Sequence, residues 1–218
     1  MKKIPTLYVR DYSDPKNPVL TDDVTPGCEW VHEGEGTPLR KHDGVAVMLD
    51  DEDRWWVRRQ VKPGKATPED YLEVERDETT GISYGWEPAH LSGFQRPLRE
   101  AVDAIALFGG PVGIKFQPGT FELVGPKVNG NPENAPAHRL IRHTRAEVVE
   151  NSYIDCRCVG ARMTGECLSH DCQYVRDLDQ SPWALIEVAE AWGWEGIVWC
   201  HPDGRRAKLK VRDKKQRV

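Results

Sequence analysis

Lys41 stands one residue before an Asp43-Gly44 pair, in the run Arg40-Lys41-His42-Asp43-Gly44, and an apolar run from Val45 to Leu49 follows. A protonated lysine is a poor nucleophile, so a reactive one needs cationic neighbours or desolvation to lower its pKa. Asp-Gly lets the backbone turn sharply, because glycine tolerates positive φ and the close approach of a ligand. The chemistry on offer is a lysine that attacks a phosphorus or carbonyl centre and becomes covalently loaded. The ordinary account is a solvated lysine ahead of a hairpin turn, and the company the motif keeps decides between them.

Three further short motifs lie downstream: Phe121-Glu122-Leu123-Val124-Gly125, Glu195-Gly196-Ile197-Val198-Trp199 and Lys208-Leu209-Lys210. Taken singly, Glu122 is an edge-strand acid, Glu195 merely follows a helix end, and Lys208 and Lys210 form the polar face of a strand. Side chains two apart on a strand point the same way, so the two lysines share that face. Taken in order behind Lys41, the motifs describe one device. A nucleophilic lysine attacks the α-phosphorus of a nucleotide while two lysines hold that phosphate and depress the nucleophile's pKa. One carboxylate binds a divalent metal that offsets triphosphate charge. A second fixes the ribose hydroxyls.

The elements that must position these groups are short strands with few helices. Residues 1–27 read as an arm with one strand near Leu7-Tyr8-Val9. Residues 45–49 and 54–61 form a hairpin over the acidic turn Asp50 to Asp53. In its second strand Trp55, Val57, Arg59 and Val61 make the core face, provided that an anion satisfies Arg59. Residues 71–76 and 82–86 suggest another hairpin. A helix starts at Pro97 and ends at Gly109-Gly110. Residues 113–116 and 120–124 are expected to pair, and 138–143 to form a further strand. Ser181 caps a second helix that begins at Pro182 and stops before Gly193. Residues 195–199 and 206–211 make the last hairpin. Adjacent hairpins with few helices indicate an α+β antiparallel architecture.

Composition bounds the class. A chain of 218 residues with 39% hydrophobic and 30% charged content is globular, with a polar surface. No apolar run approaches a membrane span, and the N-terminus lacks the apolar stretch of a signal peptide. A cytoplasmic protein is the default, in the host cytoplasm if the chain is phage-encoded. The net charge of −5 argues against a surface coated for bulk nucleic-acid binding, but residues 205–218 carry eight Lys/Arg against the single Asp213. That basic tail can meet phosphates. Cys156, Cys158, Cys167 and Cys172 fall within seventeen residues, with His170 among them. Such a cluster in an intracellular chain is more often a metal site than a disulfide set. A tetrahedral structural zinc site is one reading, with His170 competing for the fourth place. Reduced cysteines under a loop are the other.

The set Lys41-x-Asp43-Gly44, Phe121 to Gly125, Glu195 to Trp199 and Lys208-x-Lys210 resembles the covalent nucleotidyltransferases: ATP-dependent RNA and DNA ligases and mRNA capping enzymes. Residues 55–65 and 121–133 are most similar to the small single-domain 5′-3′ RNA ligases. The resemblance spans roughly residues 28–211 and implies an antiparallel, ATP-grasp-like nucleotidyltransferase domain over residues 1–218. A Cys-rich insertion at about 155–173 and a basic tail at 212–218 complete it. It implies ATP as substrate and Mg²⁺ or Mn²⁺ as the metal; structural Zn²⁺ is the separate reading of the cysteine cluster. Lys41 would be the AMP-accepting nucleophile, Glu122 would act at the ribose, Glu195 at the metal, and Lys208 and Lys210 at the α-phosphate. Asp43 joins the catalytic set; Arg40 and Gly44 join the nucleotide contacts. Arg58 or Arg59 matches the family's arginine on the strand after the nucleophile, and the sequence does not choose between them.

The pattern departs from the family in two places. Ala46 stands where DNA ligases and capping enzymes have arginine. Leu140 and Ile141 occupy the region of the base-stacking aromatic, which leaves that role unassigned. Only eight residues follow Lys210, too few for the OB domain that DNA ligases and capping enzymes carry there. The implied partner is RNA with 5′-phosphate and 3′-OH ends, with no membrane and no obligatory protein partner. Alternatives are a ligase for nicked DNA or RNA-DNA hybrids, and a non-catalytic nucleic-acid-binding zinc module on the same fold.

Overall fold

The computed structural model describes residues 2–14, 18–108, 116–150, 153–155, 173–175 and 179–216. Among these the protein is mixed α+β, mostly antiparallel strands with two helices. In chain order the elements are β1 (Tyr8–Asp11), β2 (Val19–Val24), β3 (Thr37–Lys41), β4 (Val45–Leu49), β5 (Trp55–Val61), β6 (Leu72–Arg76), β7 (Ser83–Pro88), α1 (Gln95–Phe108), β8 (Gly119–Val124), β9 (Arg139–Arg142), β10 (Tyr153–Asp155), β11 (Gln173–Val175), α2 (Pro182–Ala191), β12 (Gly196–Cys200) and β13 (Arg206–Lys210). No helix among the described residues is long and apolar enough to cross a membrane. The cysteine cluster, Cys156, Cys158, Cys167 and Cys172 with His170, lies outside the described residues.

The chain forms two compact units, Met1–Ile4 with Lys41–Glu147, and Pro5–Arg40 with Val148–Val218. The first is built on a six-stranded sheet in the order β6-β7-β5-β4-β8-β9. The β4–β5 hairpin forms as the alternation predicts, because Asp50 organises its turn. The Asp50 carboxylate accepts from the Glu52 and Arg54 backbone N–H groups at 2.9 and 2.8 Å, and from the Trp56 indole at 2.8 Å. Val47, Leu49, Val57, Phe121 and Leu123 are buried on one face of this sheet, against Leu98 and Ala101 of α1. Each such side chain contributes roughly 1.5–3 kcal/mol on removal from water.

Two expectations need correcting here. The helix begins at Gln95, two residues before Pro97, since a proline is tolerated anywhere in the first turn, where N–H groups lack intrahelical acceptors. Strand β8 pairs with β4 and β9 rather than with a neighbour just upstream. Phe116 is outside any strand, and residues 113–115 lie outside those described.

The second unit carries a three-stranded sheet in the order β13-β12-β3 and two two-stranded pairs, β1–β2 and β10–β11. Ser181 caps α2, its hydroxyl accepting from the Ala184 N–H at 3.4 Å. Leu185, Ile186 and Ala189 of α2 pack on Ile197, Trp199, Ala207 and Leu209 of the last hairpin, and on Leu7, Leu20 and Trp30. The outer edge of β13 is covered by the start of the chain: Lys208 N–H donates to the Pro5 carbonyl at 3.0 Å, and Leu7 N–H to the Lys208 carbonyl at 2.8 Å. Val211–Gln216 continue as a 3-10 turn, with Asp213 only 1% exposed.

Candidate active site

In the first unit the loop between β3 and β4 is held by three carboxylates. The Gly44 backbone N–H donates to Glu122 at 3.1 Å, and the Asp43 N–H donates to Glu133 at 2.9 Å. His42, 6% exposed, lies with Nδ1 3.1 Å from Glu133 and Nε2 3.0 Å from Glu147. Carboxylates only accept, so the ring donates to both when it carries two protons. The Asn129 amide donates to the Gly44 carbonyl at 2.8 Å from the far side of the turn. Lys41 is half-buried, and its Nζ lies 3.4 Å from the His42 carbonyl. The nucleophile candidate therefore ends β3 just before a loop held at the Asp43 and Gly44 backbone and at the His42 ring.

Gly44 is required here for a reason other than the expected one. It does not adopt a positive φ. A Cβ at this position would fall 2.2 Å from the Leu123 carbonyl oxygen and 3.0 Å from the Glu122 side chain. Close passage of β4 against β8 demands the missing side chain, and that passage lets the Gly44 N–H reach Glu122.

Strand register gathers the rest of the first unit's site. Glu122 is opposite Ala46, Met48 is opposite Trp56, and Arg58 is opposite Trp86. Opposed residues share a face, so Glu122, Ala46, Met48, Trp56 and Arg58 all lie on the face away from α1. Arg59 lies on the other face with Val57, 3.6 Å from Glu87, which is the anion the sequence required there. Arg58 is thus the arginine that shares a face with Glu122. Its guanidinium lies 5.7 Å from the ring centroids of both Tyr84 and Trp86. Burial pulls its pKa below the usual arginine value, and its Nη1 is buried with no hydrogen-bond partner among the described residues. A buried unpartnered guanidinium N–H is a cost that a bound anion removes. Glu122 is completed by His143, whose Nε2 lies 2.9 Å from it and whose Nδ1 lies 2.9 Å from the Thr120 hydroxyl.

In the second unit Lys208 and Lys210 share a face of β13 with Arg206, while Ala207 and Leu209 point into the core. Lys210 forms an ion pair with Glu195, side chains 18% and 14% exposed. Asp213 anchors the strand end, accepting from the Lys210 N–H at 3.0 Å and from Arg10 at 2.6 Å. Arg40 sits with its guanidinium 4.9 Å from the Trp194 ring. A hard divalent cation takes oxygen ligands, and Mg²⁺ is commonly held by one or two carboxylates plus substrate phosphates. Glu195 is the carboxylate that would have to hold such an ion, and here it is engaged by the Lys210 ammonium. No group of three His, Cys, Asp or Glu that could hold a metal occurs among the described residues.

Sequence reasoning missed His42, Glu133, Glu147, Asn129 and His143. His42 sits inside the motif and was readable as a candidate. The others come from a polar loop and a strand end that give no periodic signal. Cys28 and Cys200 are free thiols, their pKa values pushed up by burial, and neither joins the site. Trp55, Tyr71, His90, Leu98 and Arg99 line a cavity of about 870 Å³ in the first unit, and none of Lys41, Asp43, Arg58 and Glu122 lines it. No family model and no curated protein matches the chain.

Proposed function

We propose that this protein is an ATP-dependent RNA ligase acting through a lysyl-AMP intermediate, on an antiparallel, ATP-grasp-like nucleotidyltransferase fold. The observation that carries the reading is the Glu122 carboxylate bound to the Gly44 backbone N–H, with Arg58 on the same sheet face. Two motifs 78 residues apart in sequence meet in one hydrogen bond beside the candidate nucleophile.

In this reading Lys41 Nζ, once deprotonated, attacks the α-phosphorus of ATP. An N–P bond forms, the bond to the bridging oxygen breaks, and pyrophosphate leaves. An oxygen of an RNA 5′-phosphate then attacks the same phosphorus and releases the lysine. Last, a 3′-OH attacks the RNA phosphate, the phosphodiester forms and AMP departs. Glu122 holds the ribose hydroxyls, Arg58 meets anionic oxygen, and Lys208 and Lys210 hold the α-phosphate. Asp43 and Arg40 flank the nucleophile. Glu195 is the residue that would hold Mg²⁺ or Mn²⁺, which when bound offsets triphosphate charge.

Incubation with α-labelled ATP and Mg²⁺, followed by a denaturing gel, tests the first step. Label on wild type that is lost in Lys41→Ala is the expected result. No label on wild type turns the reading toward a nucleic-acid-binding module. Label surviving in Lys41→Ala moves the nucleophile elsewhere. Sealing of 5′-phosphorylated RNA ends, set beside nicked DNA and RNA-DNA hybrids, then identifies the acceptor.

A further inference from the structure

The end of α2 carries an aromatic stack that none of the steps above uses. Trp192 is 70% exposed, the most exposed large hydrophobic residue described. Its ring stacks on Trp194, centroids 6.1 Å apart and planes inclined by 21°. Arg40 lies over Trp194 at 4.9 Å. Trp194 packs against the core of the second unit, so the ladder rises from the core through Trp194 to a Trp192 that is largely open to solvent.

The backbone makes this ladder stiff. Trp192 N–H donates to the Val188 carbonyl at 3.1 Å, Gly193 N–H to Glu190 at 3.0 Å, and Trp194 N–H to Ala189 at 2.9 Å. Gly193 takes φ +69°, a left-handed conformation that reverses the chain after the helix and brings the two indoles together. A tryptophan that exposed contributes little burial, so core packing does not account for it. In the flanking segment Lys214 is neutralised by Glu187 at 2.6 Å and Glu190 at 2.5 Å of α2, and the exposed Arg212 is the cation placed to meet a phosphate.

We propose that Trp192, backed by Trp194 and Arg40, is a stacking platform for an unpaired base of single-stranded RNA. A flat aromatic face beside cationic side chains is the arrangement that binds single strands, because every base offers a π-face while the backbone offers phosphates. A cation behind the inner ring further favours the stack. The proposal rests on the ligase reading for its substrate class, and it assigns the platform to the RNA strand rather than to ATP.

The test is fluorescence titration of the full-length protein with a 5′-phosphorylated single-stranded RNA 12-mer, in parallel with the self-adenylylation gel. Trp192→Ala is expected to weaken RNA binding about tenfold, within the range for one stacked base. Trp192→Phe restores most of that loss. The salt slope of binding stays unchanged, since no phosphate contact is removed. RNA carrying abasic positions loses affinity for wild type and shows no further loss with Trp192→Ala. Self-adenylylation is the same in all three proteins. Unchanged RNA affinity in Trp192→Ala overturns the platform, as does equal binding of abasic and normal RNA, which would point to a surface for another partner. A wild type that binds the 12-mer well but never self-adenylylates would sink the ligase reading while leaving the platform standing.

Discussion

The Lys41 loop of the first unit and the lysine strand of the second hold their candidate groups by different means. Around Lys41 the loop backbone itself is grasped: Glu122 and Glu133 accept from the Gly44 and Asp43 N–H groups, and His42 is clamped between Glu133 and Glu147. Around Lys210 an ion pair with Glu195 fixes the side chain, while Asp213 fixes the strand end through the Lys210 N–H and also binds Arg10. Hydrogen bonds to backbone set the position of a chain, whereas ion pairs set only the position of side-chain ends. On the proposed reading the difference has a reason: a lysine that forms a covalent bond must be placed accurately, whereas lysines that cradle a phosphate act as point charges on flexible stems.

The largest effect should come from the deepest charge. Asp213→Ala leaves Arg10 and the Lys210 N–H without their acceptor and should destabilise the protein by about 3–5 kcal/mol, read as a shifted urea midpoint. A loss below about 1 kcal/mol would mean that Asp213 is not the strut the second unit needs. Gly44→Ala comes next. Its Cβ meets the Leu123 carbonyl, so β4 and β8 must part, at a cost of about 1–3 kcal/mol together with loss of lysine labelling. Wild-type labelling in this variant would break the link between loop placement and chemistry.

Glu133→Gln and Glu122→Gln separate scaffold from substrate contact. Glu133→Gln should cost about 1–3 kcal/mol through His42 and Asp43. It should slow labelling at saturating ATP as the loop loosens. Glu122→Gln keeps a hydrogen-bond acceptor for Gly44, and should raise the ATP concentration needed for labelling more than it lowers stability. If the two variants behave alike, both glutamates are struts. The smallest effect is on the surface turn of the last hairpin. There the Arg205 backbone N–H, with the Arg205 and His201 side chains, holds the Asp203 carboxyl down to about 2. A carboxyl whose pKa is lower folded than unfolded contributes stability above the unfolded value of about 4, and the contribution is lost as pH falls through about 2. The midpoint difference between wild type and Asp203→Ala should therefore be small, constant above pH 5, and shrinking between pH 4 and 2. A difference that grows on acidification would refute this sign.

The β4–β5 hairpin, the α2 cap at Ser181 and the last hairpin were readable because each is local. Alternation, a capping serine and an Asp-Gly turn all act within a few residues. The same holds for the shared face of Lys208 and Lys210. Strand β3 went unread, because Thr37 to Lys41 contains Pro38 and two charged residues and becomes a strand only beside β12. Pairing of β8 with β4 escaped for a related reason: sequence shows that a strand exists but not which distant strand supplies its hydrogen-bond partners.

The choice between Arg58 and Arg59 shows where the sequence stops and the structure begins. Alternation alone says that the two point to opposite faces, and it offers Arg59 a core-side position conditional on an anion. Only the register of β5 against β4 and β7 shows Glu87 waiting for Arg59, and Arg58 on the face of Glu122. The sequence by itself determined the residue types, their order and the antiparallel α+β character, since these follow from local periodicity and short motifs. The tertiary structure decided which carboxylates grip the Lys41 loop, why Gly44 must lack a side chain and which arginine joins Glu122. Those depend on contacts between residues tens of positions apart, and no local pattern encodes the distance between them.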